Sequence, residues 1–190
     1  MVAYTGIQGQ NILIVSSDPS DPTEGQIWYN STSNLLKGYA NVVTNAWASG
    51  GNLNTARTGL SGFGILTAAV AVGGETGPST GATEKYNGTS WTSNPTGLNT
   101  ARRVLAGAGT QTATVAFGGF TSTQVASTEL WNGTSWTNNP TGLATARNVL
   151  AGAGTQTAGL AFGGDLPGNS AATEEWTGPG VGTTKTVTVS

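Results

Sequence analysis

The chain contains no cysteine and no histidine, and only 8% of its 190 residues are charged. Without cysteine there are no disulfides and no thiolate metal sites. Without histidine, the commonest general base and the commonest transition-metal ligand are missing together. An ordinary globular chain is about 25% charged, so the shortfall in charge is large. Seven basic against nine acidic residues leave a formal net charge of −2, which gives no generic electrostatic grip on nucleic acid or an anionic membrane. No apolar run reaches the roughly 18 residues of a membrane helix. The first residues, MVAYTGIQGQNILIVSS, lack the basic region that opens a secretory signal. Thr, Asn, Ser, Ala and 30 Gly stand where charge is absent. A surface of that kind suits a rigid β-rich extracellular or virion protein better than a cytosolic enzyme.

What is present is repetition. The string AFGGFTSTQVASTELWNGTSWTNNPTGLATAR, from Ala116 to Arg147, follows a near copy, AVGGETGPSTGATEKYNGTSWTSNPTGLNTAR, from Ala71 to Arg102. A third copy starts at Ala161 with AFGGDLPGNSAATEEW and then diverges. Gly73-Gly74, Gly118-Gly119 and Gly163-Gly164 are 45 residues apart, as are Arg57, Arg102 and Arg147. Glu84, Glu129 and Glu174 keep the same spacing, and Trp91 and Trp136 do too. A period of this length is read first, because it defines a repeat architecture. Residues 1–44 form an N-terminal β segment with a hairpin, and residues 45–190 form the array, with units at about 58–102, 103–147 and 148–190. Because Leu53 to Arg57 matches Leu98 to Arg102, the first 57 residues read as a divergent unit ending in the same loop.

In chain order, ILIV at 12–15 predicts a short buried strand. SSDPSDPTEG, from Ser16 to Gly25, is a turn-rich loop in which two Asp-Pro pairs pre-set the backbone. Gln26 to Tyr39 predicts a hairpin, with Ile27-Trp28-Tyr29 and Leu35-Leu36-Lys37 as arms and Asn30 to Asn34 as the turn. A further strand is expected at Asn45-Ala46-Trp47. Each regular unit then predicts four short strands, illustrated by Val104-Leu105-Ala106 within 102–109, Thr112 to Phe117, Glu129 to Trp131 and Ser135 to Thr137. Asn132-Gly133 and Asn87-Gly88 predict type I′ hairpin turns. The double glycines let backbone pass where a Cβ would collide. Gly and Thr interrupt every candidate helix, so the fold class is all-β. Four strands per unit suggest propeller blades rather than solenoid coils.

Strand, Gly-Gly, gap, Tyr/Trp-Asn, Trp, loop, Arg resembles the kelch motif, which encodes one blade of a β-propeller. The residues carrying it are Gly73, Gly74, Tyr86, Trp91 and Arg102, then Gly118, Gly119, Trp131, Trp136 and Arg147. The third copy keeps Gly163, Gly164 and Trp176, but the second Trp is replaced near Val181 and no closing Arg follows. Terminal units of repeat proteins are commonly atypical. A second resemblance lies in Asp21 to Ser31 (DPTEGQIWYNS), followed by Leu36-Lys37-Gly38-Tyr39 and Trp47. It is similar to a segment of bacteriophage structural proteins, notably tail-fibre-type proteins of aquatic phages, where it precedes repeat arrays of this kind.

The aromatic positions Trp28, Trp47, Tyr86, Trp91, Trp131, Trp136 and Trp176 serve either as a sugar-stacking surface or as core between stacked sheets, and the fixed phase favours core. Arg57, Arg102 and Arg147 either line a channel that binds an anionic glycan or bond structurally to carbonyls and to Glu84, Glu129 and Glu174. The structural role is the better reading, since a buried Arg without its partner is costly. Glu174 and Glu175 are adjacent and point to opposite faces of a strand, so they do not flank one glycosidic bond. Asp18 and Asp21 lack the ligand density and glycine of a calcium loop. Asn30, Asn87 and Asn132 begin N-x-S/T triplets and read as turn residues. No metal and no cofactor is expected.

The resemblances imply a virion structural protein of the tail-fibre, adhesin or capsid-decoration kind, without enzymatic activity, acting in assembly or host attachment. Its partners would be copies of itself and other virion proteins, with a host surface glycan as a further candidate, and neither nucleic acid nor membrane. Three clear units are few for a closed propeller, so either the N-terminal segment supplies a fourth blade or subunits share edges across a symmetric interface. A homo-oligomer or a subunit of a larger assembly is expected. The loops that differ between units, Glu75 to Ala82, Phe120 to Ala126 and Asp165 to Ala171, are where recognition belongs. Within them Glu75, Thr76, Ser79, Phe120, Thr121, Gln124, Asp165 and Asn169 are the candidate binding residues. The alternative is a stand-alone glycan-binding, lectin-like propeller. A hydrolase would need a carboxylate pair or a metal that the sequence does not offer.

Overall fold

The computed structural model describes residues 12–39 and 46–180. The described residues form sixteen strands in five sheets and no helix, so the chain is all-β. It divides into two compact units, Met1–Ala48 and Ser49–Ser190.

In the first unit, β1 (Leu13–Val15) pairs parallel with β2 (Ile27–Asn30), which pairs antiparallel with β3 (Leu35–Gly38). The Pro-rich loop between β1 and β2 is fixed by Asp18. Its Oδ1 accepts from Trp28 Nε1 at 3.0 Å and from Asn30 Nδ2 at 2.8 Å, and its Oδ2 from Lys37 Nζ at 2.6 Å. Trp28 and Lys37 are register partners, and Asn30 lies two residues on from Trp28, so all three donors share one face. Trp28 and Asn30 are thereby buried. The opposite face carries Ile14, Tyr29 and Leu36 in register, with Ile14 70% exposed. The expectation that ILIV forms a buried strand is therefore corrected: the strand exists, but Ile14 lies on the uncovered face. Leu13, the register partner of Trp28, stays 51% exposed because the loop bonds reach only Trp28, Asn30 and Lys37.

The Asp18 carboxyl is held down to about 2 by the Lys37 hydrogen bond first, then by those of Trp28 and Asn30. Its folded value lies below the ordinary 3.8, so this contribution is complete above that pH and is lost as pH falls through about 2. An NMR titration of this carboxyl should show the depressed midpoint, and Lys37→Ala should return it towards the ordinary value. An unchanged midpoint in that variant would contradict the ranking.

The second unit contains three successive antiparallel meanders. Sheet I holds β4 (Ser61–Ile65), β5 (Ala68–Val72), β6 (Thr83–Tyr86) and β7 (Trp91–Ser93). Sheet II holds β8 (Ala106–Gly109), β9 (Thr114–Phe117), β10 (Thr128–Trp131) and β11 (Trp136–Asn139). Sheet III holds β12 (Ala151–Gly154), β13 (Ala158–Phe162) and β16 (Thr173–Thr177). The short hairpin of β14 (Asp165–Leu166) and β15 (Gly168–Asn169) interrupts the β13–β16 connection. The position expected for a fourth strand of the third unit, near Val181, lies outside the described residues, as does Asn45. Ala46 and Trp47 are not in a strand, contrary to expectation.

Sheet II is covered on both faces. Towards sheet I it presents Ala116, Trp131 and Trp136, which pack with Val72, Leu98 and Leu105. Towards sheet III it presents Ala106, Ala108, Val115 and Phe117, which pack with Leu150 and Ala161. The first strand of each unit is shorter than expected, because Val104 adopts φ 47° and is not extended. Gly59 (φ 60°), Val104 and Val149 (φ 52°) occupy the same phase of the repeat. They form rungs between units: Val104 N donates to Gly59 O at 2.7 Å and Val149 N to Val104 O at 2.9 Å. A β-branched residue is strained in this left-handed region. Val149→Gly, at a position 65% exposed, should therefore raise the urea midpoint. The gain, about 0.5–1 kcal/mol, is the relief of strain less the entropy of glycine. A lowered midpoint would mean that the valine methyls make compensating contacts.

The turns differ from expectation. A type I′ turn needs φ > 0 at two central residues, but of Asn132 and Gly133 only the glycine has it (φ 91°). Trp131 pairs with Trp136, leaving a four-residue loop. Asn132 Oδ1 closes it by accepting from Thr134 N at 3.0 Å and Ser135 N at 2.9 Å. Asn87 does the same with Thr89 and Ser90, and Asn30 with Thr32 and Ser33. The side-chain oxygen does the work that backbone geometry does in a two-residue turn. Close approach explains the double glycines: a Cβ on Gly118 would lie 2.7 Å from Arg147 O, and Gly119 N donates to that same carbonyl at 2.9 Å.

Candidate functional site

Each double glycine releases the chain into a connection that differs between units, and the structure brings these three connections together. Glu75 bridges to Thr58 and Ser79, Phe120 to Arg103 and Gln124, and Asp165 to Asn148. Each variable loop is thus held at its base by the segment preceding the first strand of a unit. Arg103 links the first two loops. Its Nη1 lies 3.1 Å from Glu75 Oε2 and donates to Ser79 Oγ at 3.3 Å, while its guanidinium sits 4.7 Å above the Phe120 ring. Gln124 links the second and third loops, donating from Nε2 to Asp165 O at 3.3 Å. Asp165 and Asn169 help to wall a cavity of about 350 Å³ with Val149, Gly164 and Ser170. Thr76 and Thr121 sit at loop tips, turned back by bonds from their N–H groups to Pro78 O and Thr123 O.

Five of the candidate binding residues, Glu75, Ser79, Phe120, Gln124 and Asp165, are therefore joined in one network. Arg103, its central cation, was missed. Its signal was a break in the period: Arg57 is followed by Thr58 and Arg147 by Asn148, but Arg102 by a second arginine. The Arg103–Glu75 pair is about 30% exposed on both sides. A pair so placed contributes little to stability and leaves donors free to meet a ligand. A second polar hollow of about 500 Å³ lies beside Gln124, lined by Thr100, Ser127, Thr128, Asn138 and Asn139.

The repeated arginines have a different setting. Arg102 Nη1 donates to Glu129 Oε1 at 2.6 Å, and Arg147 Nη1 bonds to Glu174 Oε1. Arg57 Nη1 lies 2.9 Å from Glu84 Oε1 without a hydrogen-bonding angle, and its Nη2 donates to Ala71 O at 3.4 Å. All three arginines are buried, which removes them from any glycan surface. Burial pushes the Arg102 guanidinium below its usual range, and Glu129 opposes that shift. The carboxylates also cap a loop: Asn54 N, Asn99 N and Ala144 N donate to Glu84, Glu129 and Glu174 respectively, each at 2.7 Å.

The aromatics lie mainly between sheets. Trp131 and Trp136 are buried with ring centroids 5.2 Å apart, and Tyr86 and Trp91 repeat the pair at 5.0 Å, half-buried. Trp176 is half-buried and donates to Gln156 O at 2.7 Å. Trp47 departs from the core role: it is fully exposed, because no strand turns it into a sheet interface. Glu174 and Glu175 diverge as expected, one towards Arg147 and the other exposed. The Asp18 carboxylate is taken up by its three donors. Among the described residues no three acidic, histidine or cysteine side chains gather as a cation site. No protein-family model matches the chain, and no curated protein is significantly similar to it.

Proposed function

We propose that this chain is a bacteriophage virion structural protein, of the tail-fibre, adhesin or capsid-decoration kind. In this reading its repeat sheets are kelch-like propeller blades, and it acts by binding rather than catalysis. The observation that carries the binding role is the single network into which Arg103 and Gln124 join three unlike loops above three like sheets. A constant framework with variable, interconnected connections is the arrangement that recognition proteins use. The phage setting rests on the resemblance of the segment around Trp28 and of the repeats that follow it. The surface would meet another virion protein or a host surface glycan.

The test has two parts. Mass spectrometry of purified particles should find the chain among the virion proteins. Host-cell binding by the labelled chain should fall on Arg103→Ala and Phe120→Ala. Absence from particles, with retained binding to a glycan array, would leave the lectin-like reading in its place. The polar hollow beside Gln124 is the observation that favours that second reading, since its hydroxyl and amide groups suit a polyhydroxylated ligand.

A further inference from the structure

We propose that the exposed face of sheet III is a docking surface for sheet I of a second copy, joined head to tail. The same sequence is treated differently at two places in the fold. Ala-Gly-Ala-Gly in β8 has both alanines buried, at 5% and 3% exposure, because sheet III packs on them. Ala-Gly-Ala-Gly in β12 is exposed throughout. Phe117, on the covered face, is 3% exposed, and its counterpart Phe162 is 38% exposed.

The internal junctions show what should lie there. Gln111 reaches back across the first junction, donating to Ala69 O at 3.0 Å and Tyr86 O at 2.6 Å. Gln156 repeats this on Thr114 O and Trp131 O at 3.0 and 2.6 Å. The next carbonyls in phase, those of Gly159 and Trp176, border an open hollow of about 420 Å³. No described side chain donates to either. The backbone rungs stop there too: Val149 O is the next acceptor, and no described backbone N–H reaches it.

The other end of the row supplies the matching surface. Where the internal junctions have Thr110-Gln111 and Thr155-Gln156, sheet I has Ile65-Leu66, exposed by 69% and 84%. Leu66 would enter the hollow that an amide enters elsewhere, exchanging two hydrogen bonds for apolar contact. Trp91 holds the phase from which Trp136 Nε1 donates to Thr83 Oγ1 at 2.9 Å, and Thr173 holds the phase of that acceptor. Each chain thus carries both halves of one junction at opposite ends. Two head-to-tail contacts between two chains would close six sheets into a ring, within the roughly 4–8 blades of closed propellers. The ring rests on the blade reading proposed above, whereas the head-to-tail contact and its test are independent of any place in a virion.

Sedimentation of the full chain at micromolar concentration should show twice the 19.0 kDa chain mass. Ala153→Arg and Leu66→Arg place a charge on the two opposite halves of the junction, at positions exposed in the single chain, so each should sediment at single-chain mass. Leu66→Gln, which restores the amide of the internal junctions, should keep the pair and serves if the arginine variants unfold. A native chain that sediments alone would overturn the proposal. So would a Leu66→Arg chain that still pairs, because contact between two sheet III faces is indifferent to Leu66. An open polymer dispersed by both charges would keep the head-to-tail contact and overturn the two-chain ring.

Discussion

Arg102→Ala should destabilise the repeat unit by about 3–5 kcal/mol, the cost of leaving a buried charge without its partner. Arg102 and Glu129 have fully buried side chains, with Nη1 and Oε1 2.6 Å apart. After the substitution Glu129 keeps its hydrogen bonds from Asn99 N, Asn99 Nδ2 and Thr100 N, at 2.7, 2.8 and 3.3 Å. Hydrogen bonds to neutral donors do not replace the lost countercharge, and the deleted side chain also leaves a void. The control is the next residue. Arg103→Ala removes a cation from a pair with Glu75 that is about 30% exposed on both sides, and should cost no more than about 1 kcal/mol. Urea unfolding of both variants therefore separates a buried pair from a surface pair at adjacent positions. The double variant Arg102→Met/Glu129→Leu should lose less than Arg102→Ala, since it removes both charges and fills the space, although Asn99 N and Thr100 N then lack their acceptor. An Arg102→Ala chain within about 1 kcal/mol of the native one would show that water reaches and solvates Glu129.

The parts of this fold legible in the sequence are those that the repeat states three times. Arg and Glu keep one spacing, so their pairing follows from phase, and the first two Gly-Gly pairs mark where backbone crosses the next unit's arginine carbonyl. The hairpin around Asn30 was legible because its arms are apolar and aromatic and its turn is polar. What was not legible depends on single, unrepeated contacts. Nothing in ILIV says that Asp18 will draw the loop over the face of Trp28 and leave Ile14 exposed. Asn-Gly fits a two-residue turn as well as the four-residue loop found here, and the difference lies in the register of Trp131 with Trp136. Val104 reads as strand by propensity, yet the rung to Gly59 holds it at positive φ. Of the candidate site, the loops were legible as departures from the repeat. Arg103 was not, because attention to the repeated Arg102 hides the unrepeated residue beside it.

Trp131→Ala should cost about 3–5 kcal/mol, as truncation of a fully buried large aromatic does. Trp131 is 0% exposed, packs on Trp136 with centroids 5.2 Å apart, and donates from Nε1 to Gln111 O at 2.7 Å. That last bond matters beyond its own strength, because Gln111 is the residue whose amide reaches back to Ala69 O and Tyr86 O of sheet I. Losing the indole therefore opens a cavity and unfastens the residue that pins one sheet to the next. Trp131→Phe retains most of the apolar volume but not the donor, so its loss should be about 1–3 kcal/mol, the cost of an unpaired buried carbonyl. Trp176 makes the same bond, to Gln156 O at 2.7 Å, from the uncovered end of the row. It is only half-buried, so Trp176→Ala should cost less, about 1.5–3 kcal/mol. The order Trp131→Ala, then Trp176→Ala, can be read from denaturant midpoints. If the two losses are equal, Trp176, which packs on the core between sheets II and III, is as fully enclosed in solution as Trp131.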